Sequence, residues 1–179
     1  MEAPEKTYNF TTDWFQNTAK PVWDQLIPQI RPTRILEIGS FEGASACYLI
    51  DALAGDHPIE LHCIDSWGGG IEHVEMGVNM SAVEARFDAN IASAMKGSTH
   101  AVNFHKHKAY SDVALAKLLA DPARRLAFDF VYIDGSHQAP DVLSDAVLAF
   151  RLLRVGGVMA FDDYLWSENL PYGKDPIRS

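Results

Sequence analysis

Cysteine is scarce in this chain: Cys47 and Cys63 are the only two in 179 residues, and they lack the CxxC spacing of a zinc or redox pair. That excludes a disulfide-built scaffold, and both thiols are expected to pack as small apolar groups in a reducing compartment. Basic residues are also few, 15 against 24 acidic, and they are scattered, so the footprint of a phosphate backbone is missing and no nucleic-acid partner is expected. No apolar run approaches the roughly 18 residues of a membrane span, and the first twelve residues are polar and acidic, without the apolar heart of a signal peptide. The expectation is a soluble, cytoplasmic protein with no membrane partner. Internal repeats and low-complexity tracts are absent as well. What remains, 47% hydrophobic and 22% charged, is ordinary globular composition in a length suited to one domain.

The organising stretch is Arg34-Ile35-Leu36-Glu37-Ile38-Gly39-Ser40-Phe41-Glu42-Gly43-Ala44-Ser45. A branched apolar run meets a glycine, three residues pass, and a second glycine opens a helical segment over 44–53: a strand, a tight turn and a helix. Glycine lets the backbone turn sharply and approach a ligand, and the helix behind it points unpaired N–H groups into the crevice. In open α/β sheets that crevice, beyond the carboxyl ends of the strands, is where ligands bind.

Around this turn the chain alternates. Thr11 and Thr12 are N-cap candidates for a helix with Trp14 and Phe15, and a second helix follows Pro21. The pair forms a helical cap over 1–32 that covers one edge of the sheet or, through Trp14 or Trp23, lines a substrate entrance. Residues 59–64 read as a second strand ending in Asp65, whose carboxylate suits both hydroxyls of a ribose. A long connection follows, in which Glu72 and His73 either face a substrate or belong to a solvated loop. A helix is predicted over 83–95 and a third strand over 102–108. There His105 and His107 share a face, but interleaved lysines and no third ligand nearby argue against a metal. Ser111 either touches a base edge or caps the helix over 113–119. A buried strand over 128–133 ends in Asp134-Gly135-Ser136-His137. The next helix starts near Pro140, presents Val142, Ala146, Phe150 and Leu153 on one face, and is closed by Gly156-Gly157. A fifth strand over 158–161 ends in Asp162-Asp163. Strands separated by helices predict an α/β fold with a doubly wound, mostly parallel, Rossmann-like sheet over 33–179.

Asp134, Asp162 and Asp163 gather at neighbouring strand tips, where like charges repel unless they share a proton or a cation. Oxygen ligands with room for water and substrate suit Mg²⁺ or another hard divalent ion. His137, on the same loop as Asp134, is placed to take a proton from an oxygen nucleophile; its plainer reading is a cap for the helix at Pro140.

Together these motifs resemble the class I methyltransferases that use S-adenosylmethionine. Glu37-x-Gly39-x-x-x-Gly43 is similar to their first motif, and 130–134 with Gly156-Gly157 to later ones. Leu36 to Gly43, Ile64-Asp65-Ser66-Trp67, Ile133 to His137 and Phe161-Asp162-Asp163-Tyr164 resemble the bacterial branch of macrocin-type sugar O-methyltransferases. The resemblance implies S-adenosylmethionine held by Glu37, Gly39, Ser40, Phe41, Gly43, Asp65, Ser66, Trp67, Ser111 and Asp134. It also implies a metal at Asp134, Asp162 and Asp163, a base at His137, and a small-molecule hydroxyl as methyl acceptor. The spacing Gly-x-x-x-Gly is not the GxGxxG of a nicotinamide enzyme. The family finishes with two more strands, whereas Leu170 to Pro176 reads as loop. The expectation is a fold truncated after its fifth strand, with an open apolar edge or a homodimer that covers it. The rival to an enzyme is a catalytically silent module that holds the cofactor or a partner.

Overall fold

A computed structural model describes residues 6–70, 73 and 76–163. The chain begins with a short helix α1 (Trp14–Asn17) and α2 (Lys20–Ile30), then alternates through β1 (Arg34–Ile38), α3 (Ala44–Leu53), β2 (Ile59–Asp65), α4 (Met80–Lys96) and β3 (Val102–Lys108). It continues as α5 (Ser111–Ala120), a 3₁₀ turn (Pro122–Arg124), β4 (Phe128–Ile133), α6 (Ala139–Phe150) and β5 (Leu153–Phe161). All five strands are parallel, in the order β3-β2-β1-β4-β5. Ile35, Leu36, Ile38, Phe130, Val131 and Ile133 are buried whichever face they point to, which only a sheet covered on both sides permits. Trp23 and Ile27 of α2 join α3 and α4 on one face, while α5 and α6 bury Leu115, Leu118 and Ala149 on the other. This is the doubly wound architecture that the alternation predicts.

Several boundaries differ from the sequence reading. Helix α1 is capped by Asp13 without a side-chain hydrogen bond, because Thr11 is engaged elsewhere: its N–H and Oγ1 both donate to Glu42, at 2.6 and 2.7 Å. Helix α2 packs over the face of β4, with Trp23 edge-on to Phe130 and Tyr132 at ring-centroid distances of 5.4 and 4.7 Å, so it covers a face and not an edge. Helix α4 starts at Met80, where the Asn79 side chain accepts from Ala82 N–H as an N-cap. Gly156-Gly157 lies inside β5, at a register irregularity of the β4–β5 pair, and does not close α6. Leu153 consequently belongs to the strand. Cys47 and Cys63 are free and buried, as their spacing suggests.

Helix α6 turns Asp145 and Ala149 inward and leaves Leu143 and Phe150 65% and 68% exposed. Phe150 and Val147, with Leu126, Met159 and Phe161, line an open groove of about 700 Å³ between α6 and β5. No described residue covers it. The stretch 170–176, read as loop, and Tyr164 lie outside the described residues.

Two carboxylates tie this half together, Asp129 half-buried and Asp145 buried. Asp129 accepts from Thr33 N–H, Thr33 Oγ1 and Arg34 N–H with one oxygen and from Arg154 with the other, joining the starts of β1, β4 and β5. Those donors outweigh burial and hold its pKa at about 2. Asp145, 2% exposed, has one oxygen with no hydrogen-bond partner among the described residues. Burial first, then Asp141 and Asp112, push its pKa up to about 6 against a hydrogen bond from Ser111. A raised acid pKa favours folding while the group is protonated, so this stabilisation is complete below about pH 4 and is lost as pH rises through about 6. Urea unfolding of the wild type and Asp145→Asn should therefore diverge across that window, the wild type losing ground as pH rises. Parallel curves would show that Asp145 is not the titrating group.

Candidate active site

The sheet changes direction between β1 and β4, because β2 and β3 lie to one side of β1 and β4 and β5 to the other. At this switch point the two leading loops touch. Gly39 has φ +84°, and a Cβ there would run into the carbonyl of Asp134 and the Cα of Gly135. Asp134 N–H donates to Ile38 O at 2.7 Å, and Gly39 N–H donates to Ile64 O at 2.8 Å, so the ends of β4, β1 and β2 are laced together. Gly43, φ +82°, is the N-cap of α3, and a Cβ there would sit 2.9 Å from the Phe87 ring. Positive φ also occurs at Phe41, Trp67 and Asp163, all just past strand tips, where strained backbone often marks a working site.

Of the remaining cofactor candidates, Glu37, Ser40, Phe41, Asp65 and Trp67 gather at the turn and several hold the loop, whereas Ser111 does not join them. Glu37 is fully buried and accepts from Ser40 Oγ and Ser45 Oγ, each at 2.5 Å; burial raises its pKa against those donors. Asp65 accepts from the N–H groups of Ser40, Phe41 and Trp67 at 3.0, 2.9 and 2.7 Å, so the carboxylate read as a ribose ligand also shapes the turn. Trp67 is 5% exposed and packs on Phe87, its indole N–H donating to Phe41 O; its side chain lies in the core. Ser66 Oγ accepts from Gly68 N–H. Ser111 is the first residue of α5, whose N-cap is Tyr110, and its hydroxyl bonds to Asp145. Trp14 and His73 stand beside Phe41, with ring centroids 5.3 and 5.2 Å from it. Glu72 lies outside the described residues.

Sequence reasoning missed Glu42. It is 2% exposed and takes Thr11, Arg86 and, through its backbone oxygen, Asn90, pinning the N-terminal segment and α4 to the glycine turn.

Across the crevice, one ligand atom from each of Asp134, His137 and Asp163 lies within 4.8 Å of the others. His137 Nε2 is 3.2 Å from Asp163 Oδ2. Asp162, read from the sequence as a third carboxylate ligand, is not one of these three: its carboxylate accepts from Tyr132 OH at 2.5 Å and from Asp163 N–H at 3.0 Å. Tyr132 OH also reaches Asp134, at 3.1 Å. Burial, then Asp162 and Asp163, push the Asp134 pKa well up, the mark of three carboxylates short of positive charge. Two oxygen donors and an imidazole fit a divalent cation there, with Asp162 orienting the loop.

A second cluster lies on the α5 side of β2 and β3. Parallel pairing sets His62 against His105, and Glu60 and His107 share their face. The third ligand that the sequence did not reveal beside His105 and His107 is therefore present twice. Burial, followed by His105, His107 and Arg124, pushes the His62 pKa down to about 4 despite its hydrogen bond to Glu60.

This geometry defines a class I methyltransferase fold with its crevice at the switch point. The model of a methyltransferase domain family matches residues 36–164, and the chain belongs to that family. Among solved structures it is similar to the O-methyltransferase TomG of Streptomyces achromogenes, involved in tomaymycin synthesis and solved with SAM. Identity there is 27% and the TM-score 0.56, over 80% of this chain and 54% of TomG. It is also similar to an O-methyltransferase of Bacillus cereus solved with SAH, at 18% identity and TM-score 0.53, over 92% of this chain and 61% of that one. The chain thus spans a little over half the length of these relatives. No curated protein sequence matches it. Among the described residues no helix is long and apolar enough to cross a membrane.

Proposed function

We propose that the chain is an S-adenosylmethionine-dependent O-methyltransferase acting on a hydroxyl of a small molecule. The observation that carries this is the meeting of the Gly39 turn with the Asp134 loop at the switch point, beside Asp134, His137 and Asp163. The Gly39–Gly43 turn and the start of α3 receive the methionine end of the cofactor, and the Asp65 carboxylate, through lone pairs that its loop-amide bonds leave open, receives the ribose. Asp134 and Asp163, with His137 beside them, would hold a divalent cation. Such an ion polarises the acceptor oxygen when bound.

Methyl transfer is an in-line displacement: the acceptor oxygen forms a bond to the methyl carbon as the sulfonium–carbon bond breaks and its electron pair returns to sulfur. The protein's part is positioning and removal of the hydroxyl proton. Asp163 orients the His137 imidazole, which takes that proton. Trp14, Phe41 and His73 form an aromatic rim on the acceptor side.

Calorimetric titration with S-adenosylhomocysteine, with and without Mg²⁺, tests the reading. Saturable binding is expected, with a stabilisation of about 2.7 kcal/mol at a hundredfold excess over Kd. A folded chain that binds neither S-adenosylhomocysteine nor S-adenosylmethionine would sink it. Binding without transfer to any hydroxyl acceptor would favour the silent module.

A further inference from the structure

The geometry points to a second, separate metal site on the sheet face, in which Glu60, His62 and His105 ligate a divalent transition metal, with zinc the best fit. It does not depend on the methyltransferase reading. One ligand atom from each of the three residues lies within 4.8 Å of the others. Glu60 Oε1 is 3.0 Å from His62 Nε2 and 3.7 Å from His105 Nε2. Ligands on a tetrahedral zinc with bonds of roughly 2.0–2.1 Å stand about 3.4 Å apart, so these separations need only small side-chain shifts. His62 and His105 stand side by side, their stacked ring centroids 4.2 Å apart, so a modest rotation of the His105 ring brings the two lone pairs together. His105 Nε2 is shielded from solvent and has no hydrogen-bond partner among the described residues.

The supporting shell is present as well. His62 Nδ1 lies 2.9 Å from His107 Nε2. When His62 donates from Nδ1, the Nε2 lone pair faces Glu60 and His105, the arrangement by which a second partner fixes the tautomer of a ligating histidine. In that tautomer Glu60 and His62 are two acceptors facing each other at 3.0 Å, and a cation between or beside them satisfies both. Here Arg124 serves: its Nη1 contacts Glu60 and lies 3.4 Å from His62 Nε2. Arg124 sits on the short 3₁₀ turn with its side chain 26% exposed, so the guanidinium can swing to solvent and yield its place to a metal. Imidazole nitrogen with one carboxylate favours zinc or cobalt over Mg²⁺, and water completes the coordination. Occupied, the site would clip edge strand β3 to β2.

The test is titration of the untagged chain with Co²⁺ and Zn²⁺, following the cobalt d–d bands and heat. The Asp163→Asn background removes one of the three donors at the strand tips. One equivalent of cobalt with the strong absorption of a tetrahedral complex is expected in both backgrounds, together with a rise in thermal midpoint. His105→Ala, at a partly exposed position, should abolish the band while the circular dichroism of the fold is retained. His107→Phe should weaken binding about 10–100-fold. Arg124→Gln should strengthen it about tenfold by removing the competing cation. A tetrahedral band that survives His105→Ala or disappears in Asp163→Asn would overturn the assignment. So would failure of every variant, Arg124→Gln included, to bind cobalt tetrahedrally.

Discussion

Replacing Gly39 with alanine is expected to abolish S-adenosylhomocysteine binding and to lower stability by roughly 2–5 kcal/mol, the combined scale of a left-handed non-glycine residue and a serious overpacking. Both effects act at this position. The φ of +84° penalises any side chain, and the new Cβ would collide with the backbone of Asp134 and Gly135 and not with a side chain that can rotate away. Relief requires the tips of β1 and β4 to separate, against the hydrogen bond from Asp134 N–H to Ile38 O. The crevice therefore opens at the spot proposed to hold the cofactor. Gly43→Ala should be milder, because its obstacle is the Phe87 ring edge, which can move a little. Gly55→Ala is the control: nothing lies within 4 Å of its would-be Cβ, so stability should hold or rise by a few tenths of a kcal/mol. Thermal unfolding and calorimetry on the three variants check the order. A Gly39→Ala chain with wild-type midpoint and affinity would mean that the two loops do not meet as described.

That contact also shows what a sequence can reveal. The strand, glycine turn and helix over 34–53 were readable because each element carries its own signal: a branched apolar run, glycines where φ is positive, and a helical segment behind them. The third and fourth strands were readable for the same reason, with local alternation or a continuous apolar run. That Gly39 must be glycine because Asp134 stands behind it is not local, and 95 positions separate the pair. The histidine cluster is of the same kind. Glu60 and His62 alternate onto one face of β2, and His105 and His107 onto one face of β3, but only the parallel register that sets His62 against His105 makes them neighbours.

The errors have physical causes too. Gly156-Gly157 looked like a helix stop because glycine weakens strands, yet β5 stands at the edge of the described sheet with a register irregularity, where Gly156 at φ +78° is tolerated. Apolar spacing in α6 suggested a buried face including Phe150, and periodicity cannot say whether anything covers that face. Asp65 had a second use that its position concealed: it fastens three loop amides. A residue chosen for ligand chemistry can thus hold the frame that receives the ligand, and Asp65→Asn should loosen the turn before it touches affinity for the ribose.

His137→Ala is the second large effect: it should leave S-adenosylhomocysteine affinity unchanged and reduce turnover about 10²–10⁴-fold, the usual range for losing a general base. The measurement is transfer of a labelled methyl group from S-adenosylmethionine to a panel of hydroxyl acceptors. His137 lies in the loop after β4, while the glycine turn proposed to take the cofactor follows β1, so the two losses can be separated. The group shared with Asp134 and Asp163 gives His137 a competing role, as a third ligand to a cation. Magnesium titration tells the two roles apart. A ligand lost from a metal site weakens the metal, and excess Mg²⁺ restores the rate; a lost base leaves no group to take the hydroxyl proton, and no concentration of metal replaces it. Asp163→Asn supplies the comparison, since it removes both a proposed ligand and the carboxylate 3.2 Å from His137 Nε2 proposed to orient the ring. Its rate should fall less and recover in part with excess Mg²⁺. Unchanged turnover in His137→Ala, or full recovery with metal, would remove His137 from the role of base.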